Sequence, residues 1–219
     1  MKKLICFLFI SLLCLAGGCA NTTRHSTGVY MLMDTSGTYT KQLEQAKVVI
    51  NYLLGTLQSG DSLAVARIDS GSFSEKDIIA KITFDQRPSV ANKQKLLFKD
   101  AVEKFVKTAK GSAHTDITGG ILQAVEYLDE TKAGKKNILI FSDLEEDLAK
   151  GHIRDLTKIK LDLDEYKVVA LNVTKLVSDQ IDPKKYYERL AAWEKIVKER
   201  GGKWGKINDL KRLDSMLKT

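Results

Sequence analysis

Asp34-Thr35-Ser36-Gly37-Thr38 sets one carboxylate and two hydroxyls two residues apart, directly after the apolar run at residues 29–33. This is a compact group of hard oxygen donors. It suits a small divalent cation such as magnesium, which prefers oxygen and keeps several of its own waters. Two further polar groups occupy comparable places. Thr115-Asp116 opens a stretch with helical periodicity, and Asp143 follows the apolar run at 138–141. Taken singly, Asp34 and Thr115 read as helix caps and Asp143 as a turn residue. Taken together, in this order and at these ends of apolar runs, they point to one shared cation.

The elements that must position these residues follow from the hydrophobic pattern. The runs at 29–33, 63–68, 138–141 and 168–173 are short, aliphatic and without alternation, as parallel strands buried on both faces are. Between them, Leu43, Ala46, Ile50, Leu53 and Leu57 repeat every three or four residues. So do Ile117, Ile121, Ala124 and Leu128, and later Tyr186, Leu190, Trp193 and Val197. A further helix is expected over 90–109, after Pro88. Asp182-Pro183 supplies an N-cap and a proline at the first helical position, and Gly201-Gly202 stops that last helix. Residues 78–84 are expected as an edge strand and 204–207 as a final one. Alternating strands and helices predict a doubly wound α/β fold, a mostly parallel sheet flanked by helices. In such a sheet ligands gather beyond the carboxyl ends of the strands, where strand order reverses. If the first strand and the 138–141 strand are neighbours there, one ion collects donors from all three segments.

An Asp-x-Ser-x-Thr motif, a Thr-Asp pair and a strand-terminal Asp, in this order, resemble the metal-ion-dependent adhesion site of von Willebrand factor A domains. The resemblance covers residues 27–219. It implies that Ser36 and Thr38 contact magnesium or manganese directly, and that Thr115 joins them in the ligand-ready state. Asp34 and Asp143 then act largely through bound water. The family's commoner residue at position 38 is Ser; Thr keeps the hydroxyl and adds a methyl. The resemblance also implies a non-enzymatic module whose protein partner completes the coordination with an acidic side chain. With only two negative charges of its own, the site leaves the ion electrophilic enough for a third carboxylate.

The chain opens with Lys2 and Lys3, an apolar run at 4–15, and Ala16-Gly17-Gly18-Cys19, the layout of a secretory signal too short to span a bilayer. It resembles a bacterial lipoprotein signal, which implies lipidation at Cys19 and a membrane anchor. The boundaries expected are a signal at 1–18, lipidated Cys19 with a tether to residue 26, and the domain from 27. By resemblance to sorting signals, Ala20 after the Cys favours the outer membrane, with the domain facing the periplasm. A tether of about eight residues reaches ~25–30 Å at full extension, which keeps the domain close to its membrane. Cys6 and Cys14 fall in the leader, so the exported domain has no internal disulfide and is held by its core.

The formal charge is +7; without Lys2 and Lys3, 33 basic side chains face 28 acidic ones, or +5. The basic residues are scattered, as at Lys93, Lys95, Lys99, Lys104, Lys107 and Lys110, without interleaved aromatics. This describes a solvated helix face and argues against nucleic-acid binding.

Several residues near the candidate site carry two readings. Glu145, Glu146 and Asp147 either modulate the ion or are a solvated loop. His114 either reports pH beside Thr115 or is simply exposed. Asp69 and Ser70 end the second strand at the same edge or only shape a turn. Tyr186, Trp193 and Trp204 read as packing residues. The rival function is a magnesium-dependent phosphatase resembling the haloacid dehalogenases, partly matched by Asp34, Thr115, Asp143 and Asp147. That family needs a second Asp two residues after the nucleophile as general acid. Ser36 stands there, and its hydroxyl does not protonate a leaving alkoxide near neutral pH. A metal-free scaffold with the same fold is the third reading.

Overall fold

The computed structural model describes residues 25–37, 39–151, 154, 159–209, 212, 213 and 215. The leader, Cys19 and Thr38 lie outside the described residues. In chain order the elements are β1 (Thr27–Asp34), a 3-10 turn (Thr40–Gln42), α1 (Leu43–Thr56), β2 (Ser62–Ile68), a second 3-10 turn (Glu75–Asp77) and β3 (Ile78–Thr83). Then come α2 (Pro88–Thr108), α3 (Ile117–Thr131), β4 (Lys135–Phe141), β5 (Tyr166–Leu171), α4 (Val177–Ile181), α5 (Pro183–Glu199) and β6 (Lys203–Ile207). The strands form one sheet in the order β3-β2-β1-β4-β5-β6, with only β3 antiparallel.

The apolar runs become central strands because they bury both faces. Val29, Met31 and Met33 of β1 point to one side, with Leu139 and Phe141 of β4, and pack on α1 and α2. Tyr30 and Leu32 point to the other, with Ile138 and Ile140, and pack on α3 and α5. Each fully buried aliphatic side chain contributes roughly 1.5–3 kcal/mol of transfer free energy, so this double layer dominates the stability. Most lysines of α2 form a solvated face: Lys93, Lys99, Lys104 and Lys107 are exposed while Ala91, Phe98 and Val102 are buried. Lys95 departs from that expectation, being half-buried with its Nζ donating to the Leu57 carbonyl at 2.5 Å over the Phe84 ring.

The expected strand adjacency holds. β1 and β4 are parallel neighbours, with Met33 opposite Phe141, and the strand order reverses between them. Asp34 and Asp143 therefore leave the same edge of the sheet. β5 stops at Leu171, two residues before the apolar run does. Asn172 turns the chain with φ +51, a left-handed conformation that Asn tolerates better than most residues. Its amide N–H bonds the Ile207 carbonyl at 3.0 Å, and its Nδ2 donates to the Tyr39 hydroxyl at 3.1 Å.

Candidate metal centre

Asp34 ends β1 fully buried. Its Oδ1 accepts from the Ser36 N–H at 2.7 Å and its Oδ2 from the Ser142 hydroxyl at 2.6 Å. The loop after it is tightly formed. Thr35 Oγ1 donates to the Ile68 carbonyl at 2.8 Å, tying the loop to β2. The Ser36 carbonyl accepts from the N–H groups of Tyr39 and Thr40, both at 2.9 Å, which starts the turn leading into α1.

The Thr115 segment lies across this loop. Ser112 N–H bonds the Thr35 carbonyl at 2.7 Å, and Ser36 and Ser112 form a parallel bridge. A Cβ at Gly111 would sit 3.2 Å from Gly37 Cα, so glycines allow the two backbones to approach. Thr115 is paired in turn with Asp147, exchanging both backbone hydrogen bonds at 2.7 and 3.0 Å. The three segments named from sequence are thus stitched together around the carboxyl ends of β1 and β4.

Asp116 has a different job from its neighbour. It caps α3, accepting from the Gly119 N–H at 2.7 Å on Oδ1, while Oδ2 takes the Ser72 N–H at 3.1 Å and the Arg154 guanidinium at 3.0 Å. Gly119 and Gly120 let α3 pack closely here. A Cβ at Gly119 would strike the Asp116 carboxylate, and one at Gly120 would lie 2.8 Å from Leu32 Cδ2.

Asp143 follows β4 and is buried. Its Oδ1 accepts from the Glu145 N–H at 3.0 Å. Burial, joined by the negative charge of Asp34, pushes its carboxyl up to about 6, despite the Glu145 amide and the Arg189 guanidinium. The next residue, Leu144, is buried with φ +67, a conformation costing on the order of 1–3 kcal/mol for a residue with a side chain. Three contacts hold it. Its N–H bonds Ser142 Oγ at 2.9 Å, its carbonyl accepts from Trp193 Nε1 at 3.0 Å, and Arg189 Nε donates to the preceding Asp143 carbonyl at 2.9 Å.

The acidic loop divides. Glu146 Oε1 accepts from the Thr118 N–H at 2.7 Å at the start of α3, and burial raises its carboxyl above the usual range. Glu145 pairs with Arg189 at 3.3 Å, and Asp147 faces His114 Nδ1 at 3.0 Å. Asp69 shapes a turn, accepting from Ser70 N–H at 2.7 Å and from Ser112 Oγ at 2.6 Å. Ser142, Arg189 and the polar end of Trp193 were not visible in the sequence pattern. Trp193 is the packing residue its periodicity indicates, and its indole N–H does the extra work.

The donor chemistry fits a divalent ion. The Ser36 and Thr115 hydroxyls and the Asp34 and Asp143 carboxylates are hard oxygen donors of the kind such an ion takes. No group of three or more His, Cys, Asp or Glu side chains able to hold a metal occurs among those residues. The candidate set is instead two carboxylates with neutral hydroxyls, which suits an oxygen-preferring ion that keeps its waters.

This architecture matches solved von Willebrand factor A structures. A von Willebrand factor type A structure from Catenulispora acidiphila superposes with a TM-score of 0.53 at 16% identity, covering 88% of this chain and 41% of that one. The pilus adhesin SpaC from Lactobacillus rhamnosus GG, in an open conformation, gives 0.54 at 11% identity, covering 91% and 30%. The present chain spans less than half the length of either. No protein-family model matches the sequence, and no curated protein matches it. The fold is the α/β fold of von Willebrand factor A domains.

Proposed function

We propose that this chain is a non-enzymatic protein-binding module that recognises its partner through a divalent cation, magnesium or manganese. The observation that carries this reading is the convergence of Asp34, Ser36, Thr115 and Asp143, two carboxylates and two hydroxyls, on one sheet edge. Ser36 and Thr115 would hold the ion, with Thr38 completing the motif, while Asp34 and Asp143 orient its waters. When bound, the ion offers an open position to an acidic side chain of the partner. The protein's own task is to pre-form that edge: Ser142 and the Ser36 amide fix Asp34, and Arg189 and Trp193 fix the loop carrying Asp143. We place the module at the bacterial cell envelope, tethered through lipid on Cys19 and facing the periplasm from the outer membrane. The charge pattern and the A-domain fold support a protein partner over nucleic acid.

Calorimetric titration of magnesium and manganese into the purified domain tests the ligand set. Asp34→Ala and Asp143→Ala are each expected to weaken binding by ~10–100-fold, the usual effect of losing groups that orient a metal's shell. Unchanged affinity in both would overturn the assignment. Capture of partners from envelope extracts, in magnesium and in chelator, tests the role of the ion, and equal retention in chelator would sink it. Hydrolysis of a generic phosphate ester, abolished by Asp34→Ala, would establish the phosphatase instead.

A further inference from the structure

Exposed apolar side chains occur on the two helices that Arg189 ties to the Asp143 loop. The three most exposed large ones among the described residues are Ile181 at 85%, Val177 at 76% and Tyr187 at 65%. Val177 and Ile181 stand one turn apart on α4, and so share a face. Tyr187 opens the second turn of α5. Isolated apolar residues at a surface need no explanation, but a group rimmed by one sign of charge marks an interaction site.

The rim here is basic. Lys175, Lys184 and Lys185 are exposed on the same two-helix segment. Below them, Lys175 Nζ, Arg189 Cζ and Lys206 Nζ stand 6.0, 5.9 and 5.4 Å from the centre of the Tyr186 ring. Of the acids in this stretch, Asp179 is buried against Arg189 at 2.7 Å and Asp182 caps α5. Glu188 is the exposed one. The surface also joins the candidate centre directly, because Arg189 reaches both Asp179 of α4 and the Asp143 carbonyl.

We propose that the α4–α5 surface is a second contact area for the partner whose carboxylate reaches the cation, and that the segment crossing it is an acidic peptide bearing apolar side chains. This rests on the cation-dependent reading above. Charge complementarity sets the acidic character, and Val177, Ile181 and Tyr187 set the apolar one. An anionic bilayer shares that chemistry, but the sheet's polarity disfavours it. On the lipid-anchored reading proposed above, β1 runs from Thr27, next to the expected tether, to Asp34 at the site, so α4, which follows the carboxyl end of β5, would stand away from the anchor.

The chain from Ala20 onward contains every element of the fold and is the material for the test. Immobilised in magnesium, it is used to select binders from a displayed library of short random peptides. Selected peptides are expected to combine Asp or Glu with large apolar residues. The best synthetic peptide should bind at least ~10-fold more weakly to Lys175→Glu/Lys184→Glu/Lys185→Glu, because like charges placed across an interface are strongly unfavourable. Val177→Ser/Ile181→Ser should weaken it similarly. Both variants change exposed side chains, and magnesium binding by calorimetry should be unaltered in each. Peptides without acidic residues, or binding to either variant as tight as to the unaltered chain, would overturn the proposal. So would sedimentation with phosphatidylglycerol vesicles in preference to the selected peptide. Variant-sensitive peptide binding that persists in chelator would leave this surface standing while the cation reading falls.

Discussion

Replacing Arg189 with Met isolates the clamp that connects α4, α5 and the Asp143 loop. Arg189 binds buried Asp179 through two nitrogens, at 3.2 and 2.7 Å, and donates its third to the Asp143 carbonyl at 2.9 Å. Met fills a similar volume but leaves Asp179 as an uncompensated buried carboxylate. Breaking a buried pair from one side costs about 3–5 kcal/mol, whereas replacing both partners with apolar residues is often close to neutral. The double variant Arg189→Met/Asp179→Leu should therefore recover most of the stability lost by Arg189→Met in urea denaturation. It should not recover magnesium affinity, because the Asp143 carbonyl still lacks its donor. A deficit of ~10–100-fold is expected in calorimetry for both variants. Full recovery of affinity together with stability would refute a positioning role and leave Arg189 a purely structural residue. The pair also sets a direction with pH. The Arg189 hydrogen bonds hold the Asp179 carboxyl below its ordinary range, against the opposing effect of burial. Its contribution is complete above the pKa of an unfolded Asp and is lost as pH falls through the depressed value. Wild type should thus lose more stability on acidification than the double variant does.

Three further outcomes follow. Gly120→Ala places a methyl 2.8 Å from Leu32 Cδ2 and should destabilise by about 1–3 kcal/mol in denaturant titration, as overpacked cores do. Glu146→Ala removes the acceptor for the Thr118 N–H at the start of α3; it should cost about 1 kcal/mol of stability and weaken magnesium binding less than Asp143→Ala does. Cys19→Ala should abolish incorporation of labelled fatty acid, and retained label would refute the lipid anchor.

The fold was legible because its central strands bury both faces. Residues 29–33 and 138–141 have no polar side to disguise, and once they are neighbours Asp34 and Asp143 must leave the same edge. Helix ends with local chemistry were legible too, as at Asp182, whose Oδ1 accepts from Lys184 N–H at 3.1 Å. α4 was not, since five residues hold too little of a helical period to register. The run at 168–173 misled by two residues because apolar character continues past Asn172, where the backbone turns. Periodicity also says which face of α5 is buried, through Tyr186 and Trp193, but nothing about where their polar atoms or the Arg189 guanidinium reach.

That blind spot coincides with the part of the site that stores unfavourable energy. Asp143 is buried within reach of the charge of Asp34, and Leu144 holds a left-handed backbone without being glycine. The charge at 143 and the backbone at 144 each cost free energy, and burial of the Leu144 side chain in the core offsets the strain at its backbone. Arg189 and Trp193 hold these two residues by long-range contacts, and Ser142 by a local one. On the cation-dependent reading proposed above, a fold that fixes two mutually repelling carboxylates beside a strained turn would be pre-organised for a positive charge. Burial of Asp143 beside Asp34 is offset when a divalent ion sits near them, because a nearby opposite charge favours the ionised carboxylate. The electrostatics that raise the Asp143 carboxyl are therefore those that a cation proposed at this edge would relieve.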